Sequence, residues 1–377
     1  MALYPLLLVS GIITGFLSYL GMSYILMILI LLVSVYSITN YNYNKKDIYW
    51  ILGAISVFFL TFFSLLYSDS IEASKEKILQ LFLTFLSFIC GLNCARRYEL
   101  EKILNISIAY VSIINAIYIY VFFGVAGGDL SAFKALSNQQ DSRIIADYLL
   151  LSIIVYPLLY LKLFTGKKDV FFVLIFFSSL FCVSLGGRGP LIALIIIILI
   201  PTLLMLRKYI KFLLLGILLA VFLVLYTGTF DTILARFDSI GSGGGDISLQ
   251  IRFSEYERAV DSISKNIILG SGVGMSGLIL GYGDVYAYPH NILLESWMEL
   301  GIIGLILVLL LYFYASTNWI LTKSSNPAFW LGLVVLFYLI NALKTGSIYE
   351  QRYLFFYLGM NIFYMKHSHN VCLNNKH

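Results

Sequence analysis

Apolar stretches long enough to cross a bilayer follow one another along almost the whole chain. A crossing takes roughly 20 apolar residues in a helix. About twelve runs meet that length, with cores near 3–20, 22–39, 48–67, 78–95, 103–124, 144–163, 170–187, 189–206, 212–229, 292–316, 328–346 and 351–366. Runs such as "LIALIIIILI" lack the in/out alternation of a barrel strand. The expected fold is all-α: a polytopic integral membrane protein of about 12 transmembrane helices. Of its 377 residues, 60% are hydrophobic and 12% charged, whereas a soluble domain carries about 25% charge. Because the apolar content is spread along the chain, a soluble enzyme on one membrane anchor is excluded. A disordered or disulfide-stapled chain is excluded too.

The net charge of +5 comes from short basic clusters between runs, which is a topology signal and gives no reason to propose a nucleic-acid partner. Cys90, Cys94, Cys182 and Cys372 show no metal spacing and read as small packing residues. The first run lacks the basic flank and the small-residue site of a cleavable signal. With the N-terminus in the cytoplasm, inside segments hold 14 basic residues and short outside segments hold 7, Lys75 and Lys77 among the latter. That excess predicts both termini inside. The organisation is then spans one to nine over 1–229, an extracytoplasmic loop over 230–291, and spans ten to twelve with a tail over 292–377. The loop holds Arg236, Arg252, Arg258, Glu255 and Asp284 among other charges, so chemistry is expected on its side.

Within that loop, "GSGGG" at 241–245 is too rich in glycine for a helix. Residues 249–267 then place Phe253, Tyr256, Val260, Ile263 and Ile267 at helical spacing, as one apolar stripe. At about 100° per residue, Arg252 lies roughly 60° from the stripe's centre and Arg258 on the opposite, wet side near Asp261 and Lys265. The plain alternative for Arg252 is a surface pair with Glu255, worth little. "LGSGVGMSGLILGYGD" contains a GxGxG spacing, but no strand precedes it, so it reads as a close-packed loop and not as a nucleotide site.

The next segment reads "YPHNILLESWMELGIIGLILVLLLYFY". Pro289 suits a first helical turn, which would put His290 at the outer N-terminal end of span ten. The positive end of a helix dipole disfavours imidazolium, and a neutral imidazole can take a proton from a hydroxyl. Asn291, Glu295 and Glu299 follow on one face, and carboxylates entering a membrane helix need partners or a wet cavity. The plain alternative is a set of ordinary interfacial residues. Arg188, in "SLGGRGP", has no other charge around it from 170 to 206. It can snorkel, or it can hold a phosphate with its guanidinium fork. Arg143, in "QQDSR", is a weaker candidate of the same kind.

An outer rim with two or three arginines and one histidine suits a lipid-linked diphosphate and an activated hydroxyl. The chain shows neither the carboxylate pair of a glycoside hydrolase nor metal-ligand spacing. The chemistry that fits is glycosyl transfer from a polyprenyl diphosphate to a sugar hydroxyl.

At these residues the chain resembles the O-antigen polymerase and O-antigen ligase superfamily of bacterial envelope proteins. "HNILLESWMELGIIGLILVLL" looks like the family's His-Asn followed by an apolar Glu-Leu-Gly helix, and "NIILGSGVG" like the Gly-rich segment before it. "IRFSEYERAV" looks like the loop helix that opens with an essential Arg. "SLGGRGPLIAL" looks like the family's Ser-Arg-Gly turn, with Gly187 where that turn has Ser. The resemblance covers roughly 180–310 and implies roles. Arg188 and Arg252 would neutralise the diphosphate of an undecaprenyl-linked donor, and His290 would take the acceptor's proton in an inverting transfer. Arg143, Asn291 and Glu295 are expected to contact substrate, and no metal or other cofactor is expected.

The leading expectation is a polymerase at the outer face of the bacterial inner membrane, adding glycan to a lipid-linked repeat unit. Its expected partners are that lipid-linked oligosaccharide, membrane lipid and a chain-length regulator. The alternative is a ligase acting on lipid A–core. A flippase or transporter is the reading from another class. No charge is expected at mid-membrane and no half-to-half repeat is visible, which disfavours a transporter.

Overall fold

The computed structural model describes residues 45–95, 193, 196, 247–321, 327–344 and 346–374. Spans one, two, five to seven and nine, span eight apart from Ala193 and Ile196, the 125–143 loop, Arg143 and Arg188 lie outside the described residues. The chain divides into two compact units, Met1–Val35 with Cys94–Arg236 and Tyr36–Asn93 with Phe237–His377. Nearly all described residues belong to the second unit, which is the one described below.

All regular structure among the described residues is helical: α1 (Lys45–Ser64), α2 (Glu72–Cys94), α3 (Ile247–Lys265), α4 (Ser276–Leu280), α5 (Ile292–Leu321), α6 (Pro327–Ala342) and α7 (Arg352–Asn374). Short 3-10 turns at Leu65–Tyr67 and Ile348–Glu350 complete it. Ile48–Tyr67, Glu72–Asn93 and Ile292–Tyr314 are long and apolar enough to cross a membrane. Ala328–Ala342 and Leu354–Tyr364 are shorter apolar helices. The described part of the chain is thus helical with membrane-capable segments.

Small residues let α2 and α7 approach closely. A Cβ on Gly91 would stand 2.0 Å from the Phe356 carbonyl oxygen, and one on Gly359 would stand 2.4 Å from that of Phe88. Such close approach replaces the hydrophobic drive that lipid does not supply between helices. Thr84 adds a hydrogen bond from its Oγ1 to the Tyr349 carbonyl at 2.6 Å.

The start of α2 is capped from far along the chain. Asp284 accepts hydrogen bonds from Ile71 N and Glu72 N at 3.0 Å each, from Ala73 N at 3.2 Å and from Ser70 Oγ at 2.6 Å. The first N–H groups of a helix have no internal partner, and an anion there also faces the positive end of the dipole. These bonds hold the Asp284 carboxyl well below the usual carboxylate range, Ser70 contributing most. The α1–α2 corner also grips the glycine-rich loop. Ser68 and Ser74 both donate to the Val273 carbonyl at 2.6 Å, and Ser64 Oγ accepts from Val273 N at 3.1 Å.

Helix α5 is interrupted. Gly301 has φ 69° and ψ −163°, a conformation outside the helical region. The groups released by the break are taken by the glycine-rich loop: Ser271 N donates to Met298 O at 2.8 Å, Gly272 N to Glu299 O at 3.0 Å, and Ile302 N to Ile267 O at 3.0 Å. Non-helical backbone at membrane depth is tolerated only where protein satisfies it. No side chain fits at the junction, since a Cβ on Gly301 would meet the Ile268 carbonyl oxygen at 2.0 Å. Beyond the break, residues 302–321 remain helical and cover about 30 Å, the thickness of the hydrocarbon core. Trp297, just before the break, donates from its indole N–H to Ile267 O at 3.3 Å.

The expected stripe on the loop helix is rotated. The buried positions of α3 are Glu255, Ala259, Ser262 and Ile263, whereas Phe253 is 65% and Val260 55% exposed. Ile263 is the one member of the expected stripe that is buried. Polar groups account for the difference: Ser262 Oγ bonds Ser271 Oγ at 2.9 Å, and the Tyr282 hydroxyl donates to Glu255 Oε1 at 2.7 Å.

Candidate active site

His290 stands between buried Pro289 and the start of α5 at Ile292. Pro289 therefore precedes the helix and is not in its first turn. Asn291 is the cap, its Oδ1 accepting from Leu293 N at 2.9 Å and Leu294 N at 3.3 Å. This use follows from its type, since Asn is among the best N-cap residues. His290 has φ 50°, the one left-handed residue other than glycine among the described residues. That conformation costs on the order of 1 kcal/mol for an L-residue, and such strain concentrates at functional sites.

The imidazole is half-buried and meets the Tyr288 ring edge-on, with centroids 5.0 Å apart. Its Nδ1 is shielded from solvent and makes no hydrogen bond among the described residues. Burial pushes the imidazole below its ordinary range. Glu255 opposes that shift and Arg252 reinforces it. His290 is accordingly neutral at pH 7 and can accept a proton.

Arg252 and Glu255 both come from α3. Arg252 is half-buried and forms no ion pair or hydrogen bond with any described residue, so the surface pair with Glu255 is not formed. Glu255 is 4% exposed. Its Oε1 accepts from Tyr282, and its Oε2 is buried with no hydrogen bond among the described residues. The bond to Glu255 raises the Tyr282 hydroxyl to about 12. Arg258 is exposed, yet it is not free: its Nη1 donates to the Leu280 carbonyl at the end of α4. The wet neighbours expected for it pair with each other, Lys265 with Asp261 at 2.7 Å.

A second group of charges lies deeper. Lys77 belongs to α2 and not to the preceding loop, and it is fully buried. Its ammonium contacts Glu295 Oε1 at 2.8 Å, Glu299 Oε1 at 2.7 Å and Ser276 Oγ at 3.2 Å, which uses all three donors. The rings of Tyr286 and Tyr349 lie 5.5 and 5.1 Å from the nitrogen. Glu295 also accepts from Ser347 Oγ at 2.7 Å and Ile348 N at 2.8 Å, and Glu299 from Ser276 N at 3.1 Å. Ionisable residues therefore lie at the ends of membrane-capable helices, Glu295 and Glu299 where carboxylates entering a membrane helix were expected to need partners. They occupy the opening turns and are paired. The pairing joins α2, the α4 turn, α5 and the Ile348–Glu350 turn. Nothing in the sequence pattern near Lys77 marks it, because its carboxylate partners come from more than 200 positions away.

The structure thus brings His290, Arg252 and Glu255 to one end of the unit and seats Asn291 and Glu295 in the scaffold beneath them. No group of three or more metal-ligating side chains occurs among the described residues. A half-buried imidazole and a guanidinium without a partner among the described residues stand beside membrane-capable helices, which makes the class that of a helical membrane protein.

The family model described as O-antigen ligase matches residues 172–309, roughly a third of the chain. That stretch of the chain is thus similar to the O-antigen ligase family. The matched stretch includes Arg188, Arg252, His290 and the Glu299-Leu300-Gly301 break. No curated protein matches the chain.

Proposed function

We propose that the protein is a surface-polysaccharide polymerase. It transfers a glycan from an undecaprenyl-diphosphate donor to a sugar hydroxyl of a lipid-linked repeat unit, at the outer face of the bacterial inner membrane. The observation that carries this reading is the neutral His290, with an open buried nitrogen, beside Arg252, which has no partner among the described residues, within the family-matched stretch.

In this reading His290 removes the acceptor proton as the hydroxyl oxygen attacks the anomeric carbon from the side opposite the leaving group. Negative charge gathers on the departing diphosphate, and Arg252 and Arg188 act mainly there, where charge develops. Arg143 contributes a further contact to the donor. Asn291 and Glu295 serve the site indirectly, one as the cap of α5 and the other through Lys77. The proposed topology leaves both termini in the cytoplasm, and a chain-length regulator is a proposed partner.

The printed description of the matching family supports a second reading, a ligase that moves finished polymer onto lipid A–core. Full-length protein reconstituted with an undecaprenyl-diphosphate-linked repeat unit and with lipid A–core separates the two. A ladder on the donor lipid supports the polymerase. Transfer only to the core supports the ligase. No product with either acceptor overturns both.

A further inference from the structure

Helices α3 and α5 pack against each other next to His290. The fixed point is the hydrogen bond from Ile302 N to Ile267 O. One turn earlier, Ile263 and Met298 share a core, and Ala259 and Leu294 belong to the same cluster a turn before that. His290 lies just before the start of α5, and the charge of Glu255, one turn before Ala259 on α3, acts on its imidazole. Both residues are left incomplete there. Glu255 Oε2 and His290 Nδ1 are each buried, and neither makes a hydrogen bond with a described residue. One is an acceptor without a donor, and the other is a nitrogen that can carry a proton. Leaving such groups unsatisfied costs about 1–3 kcal/mol each.

We propose that Glu255 is the positioning partner of His290, taking a hydrogen bond from Nδ1–H so that Nε2 presents its lone pair to the acceptor hydroxyl. The inference rests on the general-base reading of His290. As the sugar oxygen bonds to the anomeric carbon, its proton passes to Nε2. The bond from that carbon to the diphosphate oxygen breaks, with the electron pair leaving on the diphosphate. The resulting imidazolium lies against the Glu255 carboxylate, which stabilises the positive charge formed in that step, as the carboxylate of a catalytic triad does. Tyr282 holds the other oxygen, Oε1, and so sets the direction of Oε2. The titratable and charged groups around the imidazole among the described residues are Glu255 and Arg252 from α3 and Tyr288 from its own loop.

The test uses full-length protein with His290→Ala, Glu255→Gln and Glu255→Asp variants, and reads two signals. One is the pH dependence of transfer. The other is the side-chain titration of His290 by NMR in histidine-labelled protein, its signal identified by its loss in His290→Ala. Glu255→Gln keeps an acceptor for Tyr282 but removes the charge. It is expected to lower kcat on the order of 100-fold with KM little changed. It is also expected to move both the acid limb and the NMR midpoint down by about one pH unit. Glu255→Asp should restore part of that midpoint. A wild-type midpoint in Glu255→Gln, or one that rises, overturns the pairing. If His290→Ala stays active, the general-base reading fails instead, and the NMR titration still decides whether the pair exists. If Glu255→Gln does not fold, Tyr282→Phe reads the same contact. Freeing Oε1 strengthens the carboxylate, so the His290 midpoint rises, and an unchanged midpoint overturns the proposal.

Discussion

The charges around Lys77 and those around His290 belong to the same unit, and they are treated in opposite ways. Lys77 has a counter-ion on each side and uses every donor it has. Arg252 and Glu255 have no counter-ion among the described residues, and His290 keeps an open nitrogen. A buried charge with a partner joins helices, and losing one partner is damaging because the other remains. A charge held without a partner beside a strained backbone is kept for something that arrives later. Burial alone therefore does not mark the proposed site; unfinished pairing among the described residues does.

Four experiments break or sharpen that contrast. The largest effect is expected from His290→Ala, a loss of transfer of about 100- to 10,000-fold in protein that still inserts, measured on reconstituted enzyme. Full activity would remove the general-base role. With the imidazole depressed by burial, the neutral, active form predominates above its lowered midpoint. The wild-type rate should therefore hold as pH falls through about 6.5 and decline only below it.

Lys77→Met should act on stability first. It strands Glu295 and Glu299, and breaking a buried pair costs about 3–5 kcal/mol, read as a lower Tm in detergent. Replacing both glutamates by Gln in that background should return part of the loss. Next comes Arg252→Lys, which keeps charge but loses the fork and should reduce transfer on the order of 10-fold. Arg258→Ala, at a residue that touches the Leu280 carbonyl and not the site, should stay within a factor of about 2. The reverse ranking would show that the inner and outer faces of α3 have been exchanged.

The smallest effect is expected at the α2 cap. The Asp284 carboxyl is held low in the folded state, so its contribution is present above the unfolded value near about pH 4. That contribution is lost as pH falls through the folded value. Asp284→Asn should lower Tm at pH 7 by a few degrees and flatten the acid side of the Tm–pH curve. An unchanged curve would mean the four hydrogen bonds add nothing.

Much of this was legible in the sequence, and the rest was hidden for physical reasons. Apolar runs announced the helices, because crossing a bilayer demands length and continuity. The His-Asn segment announced the start of α5, since Asn is a preferred cap residue. The stripe on α3 misled because lipid and protein interior select the same apolar residues. Phe253 and Val260 are exposed, and the face turned inward carries Glu255 and Ser262 instead. Lys77 read as a loop cation because only its distant partners explain its burial. The interruption at Gly301 lies within an apolar run where glycine is common in membrane helices. Its meaning emerges only when Ile267 to Gly272 are seen filling the gap.

That filling couples two segments of the chain by length. The stretch from Ile267 to Gly272 meets Ile302, Met298 and Glu299 at three fixed backbone positions. Adding or deleting one residue there would slide every partner past its mate and leave carbonyls of a membrane helix bare. Insertions along this stretch are consequently forbidden by geometry, whatever their side chains, and His290 inherits its placement from a measured length of backbone as much as from any residue that touches it.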